Sequence, residues 1–147
     1  MDDTIQYLNT DLELVSDDDL TALAAAFEAK GMFPLYGATQ EADGLWYAKF
    51  EMEDHFNEEM DHFNEEPGLT IASMLAVIES LTGPLQIAWS RCTLREFNIG
   101  YDCGSKPWAF NQGLSNGLLA RIAAAGASLR WTLYPERPES KEAERSG

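Results

Sequence analysis

A seven-residue segment, Asp-His-Phe-Asn-Glu-Glu-Met at residues 54–60, recurs at 61–67 with only its last residue changed, to Pro67. That near-identity limits where the segment can lie. Side chains alternate faces along a strand with period two, so an odd insertion inside a paired strand would turn every later side chain to the wrong face. A helix tolerates seven residues, because they nearly complete two turns of about 3.6. The repeat is therefore expected as an acidic connection between a strand and a helix, or as two added helical turns.

On either side of it the hydrophobic pattern switches between strand and helix periods. Leu12 and Leu14 alternate with Asp11 and Glu13, the signature of a half-buried strand. Ser16 stands three residues before Asp19, a spacing that resembles a capping box. Leu20, Leu23, Ala24 and Phe27 then follow at helical spacing up to a stop at Gly31. Pro34 marks a strand or turn. Asp43-Gly44 next predicts a hairpin into Leu45 to Met52, where Trp46, Tyr47 and Phe50 suit a strand.

After the repeat, Pro67-Gly68 introduces a second helix with Ile71, Met74, Leu75 and Ile78 on one stripe, ended by Thr82-Gly83-Pro84. A short apolar segment holds Ile87 and Trp89. From Thr93 to Cys103, Arg95, Phe97, Ile99 and Tyr101 fall on one side and Glu96, Asn98 and Asp102 on the other, until Gly104, Ser105 and Pro107 break the strand. Ser115 caps a third helix with Leu118, Ile122 and Ala125 aligned. Gly126 closes it, and Ala127, Leu129, Trp131 and Leu133 share one side of a last strand. The order β-α-β-β-α-β-α-β predicts an α+β domain, a two-layer sandwich with helices on one face of a mostly antiparallel sheet. Residues 1–135 form this single domain. Residues 136–147 have almost nothing apolar to bury and are expected as a disordered tail.

The stretch Glu-Phe-Asn-Ile-Gly-Tyr-Asp (96–102), the helix of Leu114 to Ala125, and Gly-Ala-Ser-Leu-Arg-Trp-Thr-Leu-Tyr (126–134) together resemble the C-terminal half of a bacterial family, domain of unknown function 4279. The likeness is strongest over residues 93–134, and Val15 to Leu23 and Leu45 to Phe50 are compatible with it. It implies a compact α+β module and brings no catalytic residues.

Charge is distributed unevenly. Residues 1–66 carry eighteen acids against Lys30 and Lys49, a net −16, and the remainder carries seven acids against eight bases, a net +1, giving the −15 of the whole chain. A field of this sign repels nucleic acid and anionic lipid and attracts basic surfaces. Gly-rich phosphate loops and basic patches are missing, which argues further against nucleotide or nucleic-acid binding. Met1 is followed by Asp2 and Asp3 rather than by a basic and then an apolar region, and no run approaches the ~18 apolar residues of a membrane span. A cytoplasmic protein with reduced Cys92 and Cys103 is the expectation.

Candidate chemistry is sparse. His55 and His62, the only histidines, lie in the repeat among Glu51, Glu53, Asp54, Glu58, Glu59, Asp61, Glu65 and Glu66, and Glu59 to His62 spells Glu-x-x-His. A carboxylate-bridged metal site needs that motif twice, and His55 lacks it. No metal, cofactor or catalytic residue is therefore assigned. The expected function is a non-enzymatic acidic module that binds a basic protein partner, of the kind found among immunity or inhibitor proteins facing nuclease-like toxins. Asp17, Asp18, Asp19, Glu58 and Glu59 would supply its field. Trp108, in the loop Lys-Pro-Trp-Ala-Phe-Asn (106–111), would be its anchor. The alternative is a small hydrolase or divalent-metal-dependent enzyme that uses Glu96, Asp102 and the histidine segment, with Glu13 joining Glu96, Asn98 and Asp102 as an acid/base set. Oligomeric state is left open.

Overall fold

In the computed structural model, which describes residues 4–52, 66–105 and 109–135, the alternation around Leu12 and Leu14 becomes the centre of the fold. It forms β1 (Gln6–Ser16), which pairs antiparallel with β3 (Trp46–Met52) on one side and β4 (Leu94–Asp102) on the other. Beyond these, β2 (Met32–Gln40) lies against β3 and β5 (Ser128–Tyr134) against β4, giving a five-stranded sheet of order β2-β3-β1-β4-β5. The β4–β5 pair is parallel. Parallel neighbours need a crossover, and helix α4 (Asn116–Ala124) supplies it.

The other helices are α1 (Thr21–Ala29), α2 (Pro67–Glu79) and α3 (Gly83–Ser90). The class is α+β, with a mostly antiparallel sheet, as the patterning predicts. Strand register builds the core, because Leu12 sits opposite both Phe50 and Phe97, and Leu14 opposite Ala48. These side chains are buried together with Phe27, Ile71, Met74, Leu75 and Ile122 from the helices. Each large side chain so buried contributes roughly 1.5–3 kcal/mol. Phe27 meets Phe50 edge to face with centroids 5.4 Å apart. No helix among the described residues is long and apolar enough to cross a membrane.

Element ends follow local chemistry. Gly31 and Gly126 take φ of 100° and 74°, the left-handed geometry that stops a helix. The Ser115 hydroxyl accepts from the Leu118 N–H at 3.1 Å, as its N-cap position requires. In the β2–β3 turn the Asp43 carboxylate accepts from the Leu45 N–H at 2.9 Å.

Three local expectations change. Ser16 and Asp19 do not form a capping box, since the Ser16 hydroxyl accepts from the Asp18 N–H at 3.1 Å and the Asp19 carboxylate from the Thr21 N–H at 2.8 Å. Thr82-Gly83-Pro84 does more than end α2. Gly83 turns the chain with φ of 58°, and Pro84 lies in the first turn of α3, so the apolar segment with Ile87 and Trp89 is itself a helix. Arg95, grouped with the core-facing residues of β4, is half-buried and binds backbone. Its Nε donates to the Gly126 carbonyl at 2.8 Å, and its Nη1 to those of Trp89, Ser90 and Cys92 at 3.1, 3.0 and 2.9 Å. One guanidinium thus binds carbonyls at the end of α3, where that of Trp89 also accepts from the Cys92 N–H, and in the turn after α4. Trp89 adds a second tie by donating its indole N–H to the Ala125 carbonyl at 2.9 Å.

Of the repeat, residues up to 65 lie outside the described residues. Glu66 is the N-cap of α2 and Pro67 its first residue, where a missing N–H costs nothing. Both cysteines are free thiols. Burial pushes that of Cys92 up to about 11.

Candidate functional site

The helices cover one face of the sheet, and the other face collects the polar halves of the alternating strands. Asp11 and Glu13 come from β1, Lys49 and Glu51 from β3, Glu96 and Asn98 from β4, and Arg130 and Thr132 from β5. Register then decides who meets whom. Lys49, Glu13 and Glu96 form one cross-strand row, and Asp11, Asn98 and Arg130 the next. Glu13 directly opposite Glu96 is a like-charge pair, which by itself destabilises a sheet.

Neighbouring groups relieve it. Asn98 donates its Nδ2–H to Glu13 Oε2 at 3.2 Å, while Thr132 donates to Asn98 Oδ1 at 2.7 Å and fixes the amide. Arg130 Nε meets Glu96 Oε1 at 2.6 Å. Glu96 is only 7% exposed, so this contact compensates a buried carboxylate.

Asp11 is less well served. Asn9 donates to it at 3.2 Å and reaches Glu51 at 3.5 Å, tying the two carboxylates to one amide. Burial pushes the Asp11 carboxyl up to about 6, against the pull of Lys49 and with help from the charges of Glu51 and Glu13. Beside this cluster a groove of about 710 Å³ runs toward the β2–β3 turn, lined by Asp11, Glu13, Leu35, Tyr36, Tyr47 and Lys49. The Tyr36 hydroxyl donates to Glu41 at 2.7 Å and that of Tyr47 to Asp43, so both phenols are pinned at the groove by acids of the turn.

The residues singled out from sequence are scattered. Asp17, Asp18 and Asp19 occupy the β1–α1 connection, where Asp18 pairs with Arg91 at 2.6 Å. The Thr21 hydroxyl and N–H hold the Asp19 carboxyl below its usual range. Glu58, Glu59, Trp108, His55 and His62 lie outside the described residues. Glu13, Glu96 and Asn98 do come together. Asp102 does not: it is exposed opposite Gln6, six residues along β4 from Glu96 and thus about 20 Å away.

Sequence reasoning saw Asp11 as the solvated side of a strand and gave Glu51, Lys49 and Arg130 no role on that face. The signal was present in the polar parity of each strand. Joining those parities into one cluster required the register. Among the described residues no group of three His, Cys, Asp or Glu side chains is placed to hold a metal ion. Comparison of the chain with known protein families, with curated proteins and with solved structures finds no match.

Proposed function

We propose that the chain is an acidic protein-binding module that engages a basic protein partner, in the manner of an immunity or inhibitor protein facing a nuclease-like enzyme, and that it does so through the open face of its sheet. One observation carries this reading: Asp11, with Glu13 and Glu51 adding to the strain that burial puts on it, sits on a sheet face that none of the described helices covers, with its carboxyl pushed up to about 6. An incoming Lys or Arg would relieve that strain, so the face gains from a cation what it lacks alone. Leu35, Tyr36 and Tyr47 in the adjacent groove supply apolar and aromatic area, the usual companions of charge in an interface. Asp17, Asp18 and Asp19 add long-range field, as do Glu58 and Glu59, and Trp108 is proposed as the anchor. The resemblance to the family of domain of unknown function 4279 fits a compact module of this kind.

The test is capture from an extract of the source cells on the immobilised full chain. The wild type is compared with a variant carrying Asp11→Asn, Glu13→Gln and Glu51→Gln, isosteres that keep the Asn9 and Asn98 contacts. A basic protein held by the wild type and lost by the triple variant is the expected result. Recovery of no basic protein, or equal recovery by both, overturns the proposal.

A second reading is favoured by the same residue. A carboxyl that holds its proton up to about pH 6 is suited to general-acid work in mild acid, as in a small hydrolase. Turnover of a substrate that Asp11→Asn abolishes would establish this alternative.

A further inference from the structure

The two edges of the sheet are built differently. β2 carries Pro34, which lacks a backbone donor, and its register against β3 slips twice, between Pro34 and Tyr36 and again between Tyr36 and Thr39. Proline and bulges are how edge strands avoid pairing with another chain. β5 has neither. Its seven residues pair with β4 in one unbroken register, and no described strand lies on its other side. The Cys103 N–H donates to the Tyr134 carbonyl at 2.8 Å, so the backbone of residue 134 points toward β4. Backbone groups alternate sides along a strand, and those of Leu129, Trp131 and Leu133 therefore point away from the sheet. Their side chains share the helix-covered face, where Leu129 packs on the core but Trp131 and Leu133 remain 53% and 60% exposed.

We propose that this edge is where two copies of the chain join, β5 against β5, antiparallel about a twofold axis through Trp131. The strand is self-complementary in that register. Trp131 meets its counterpart, Leu129 meets Leu133 of the second copy, and Arg130 faces Thr132 rather than another arginine. The outward N–H and C=O groups of residues 129, 131 and 133 pair across the axis. Both helix layers fall on one side, and the open faces merge.

The self-complementary register makes a second copy the occupant, and charge makes β5 rather than β2 the edge it can approach. The part of the chain with net −16 forms β1, β2 and β3, whereas β4 and β5 belong to the part with net +1. Joining at β5 puts the two β1 strands five strand spacings apart, about 24 Å, or roughly three Debye lengths at physiological salt. Joining at β2 would press acid against acid. The only charge on β5, Arg130, is already matched by Glu96, so the edge offers nothing special to a basic strand.

The test is the mass of the full chain by sedimentation or light scattering from about 5 to about 200 µM. Mass should rise from 16.4 kDa toward twice that value. It should rise further in about 500 mM than in about 50 mM NaCl, because salt screens the remaining repulsion between copies. Trp131→Lys with Leu133→Lys should hold the protein monomeric with its circular dichroism and thermal midpoint kept, while Phe33→Lys on β2 should leave the dimer intact. Should the double variant fail to fold, Trp131→Cys in a Cys103→Ser chain gives an independent reading. Cα atoms facing each other in a hydrogen-bonded pair are about 5.5 Å apart, within disulfide range, so oxidation should link two copies. A constant 16.4 kDa, a dimer that survives the folded double variant, or an absent cross-link overturns the proposal. Binding of a basic partner weakens with salt whereas this contact strengthens, so the two proposals fail separately.

Discussion

Replacing Asp11 with Asn should stabilise the protein at neutral pH and leave it unchanged in acid. Burial pushes this carboxyl from 3.8 up to about 6. At about 1.36 kcal/mol per pH unit the full shift corresponds to about 3 kcal/mol. Asp11 is only half-buried, and solvent screening reduces the effect to about 1–2 kcal/mol. The sign follows from proton binding. Between about pH 4 and 6 the native carboxyl holds a proton that the unfolded chain has released, so stability falls as pH rises through that window and the loss is complete above it. Asn cannot ionise, and its amide oxygen still accepts the Asn9 bond, which measures 3.2 Å with Asp11 in place. Thermal midpoints at pH 7.5 should therefore differ by about 3–7 °C in favour of Asp11→Asn, and the gap should close near pH 4. A variant less stable than the wild type at pH 7.5, or an offset equal at both pH values, would refute the reasoning. Stability gained here should cost partner binding, the trade-off expected when strain is kept at a functional site.

Arg95→Met should lower stability by about 2–4 kcal/mol in urea unfolding, because it takes the guanidinium donor from the Ser90, Cys92 and Gly126 carbonyls and leaves that of Trp89 only the Cys92 N–H; a loss under about 0.5 kcal/mol would remove its structural role. Asp18→Asn should change stability by less than about 0.5 kcal/mol, since its pair with Arg91 is exposed on both sides. Deleting residues 54–60 leaves β3 ending at Met52 and Glu66-Pro67 opening α2, so the thermal midpoint should stay within a few degrees. In the proposed complex Trp108→Ala should speed dissociation by about thirtyfold, equivalent to about 2 kcal/mol, measured by surface plasmon resonance; an unchanged rate would remove it as an anchor.

The layers of the fold were legible wherever one element carried its own signal. Leu12 and Leu14 gave the central strand, Asp43-Gly44 the hairpin, and Ser115 and Gly126 both ends of α4. What stayed hidden depends on distant partners. Helix α3 has eight residues, and its opening Gly83-Pro84 reads equally well as the end of α2. Arg95 looks like one polar residue on an apolar side until Gly126, 31 residues away, delivers its carbonyl. The acidic cluster was invisible for the same reason: Lys49, Glu13 and Glu96 become neighbours only through the pairing of three strands. Charge counting located the acid in the first half of the chain, and register moved its focus from the Asp17–Asp19 turn to the sheet.

The most direct test of that focus is the association rate of the captured basic protein with the wild type and with the Asp11→Asn, Glu13→Gln, Glu51→Gln variant. If the sheet face steers binding, the variant should associate at least about tenfold more slowly in about 50 mM salt, and the two rates should converge near 500 mM as screening removes the field. Equal rates at low salt, with both chains folded, would contradict the account.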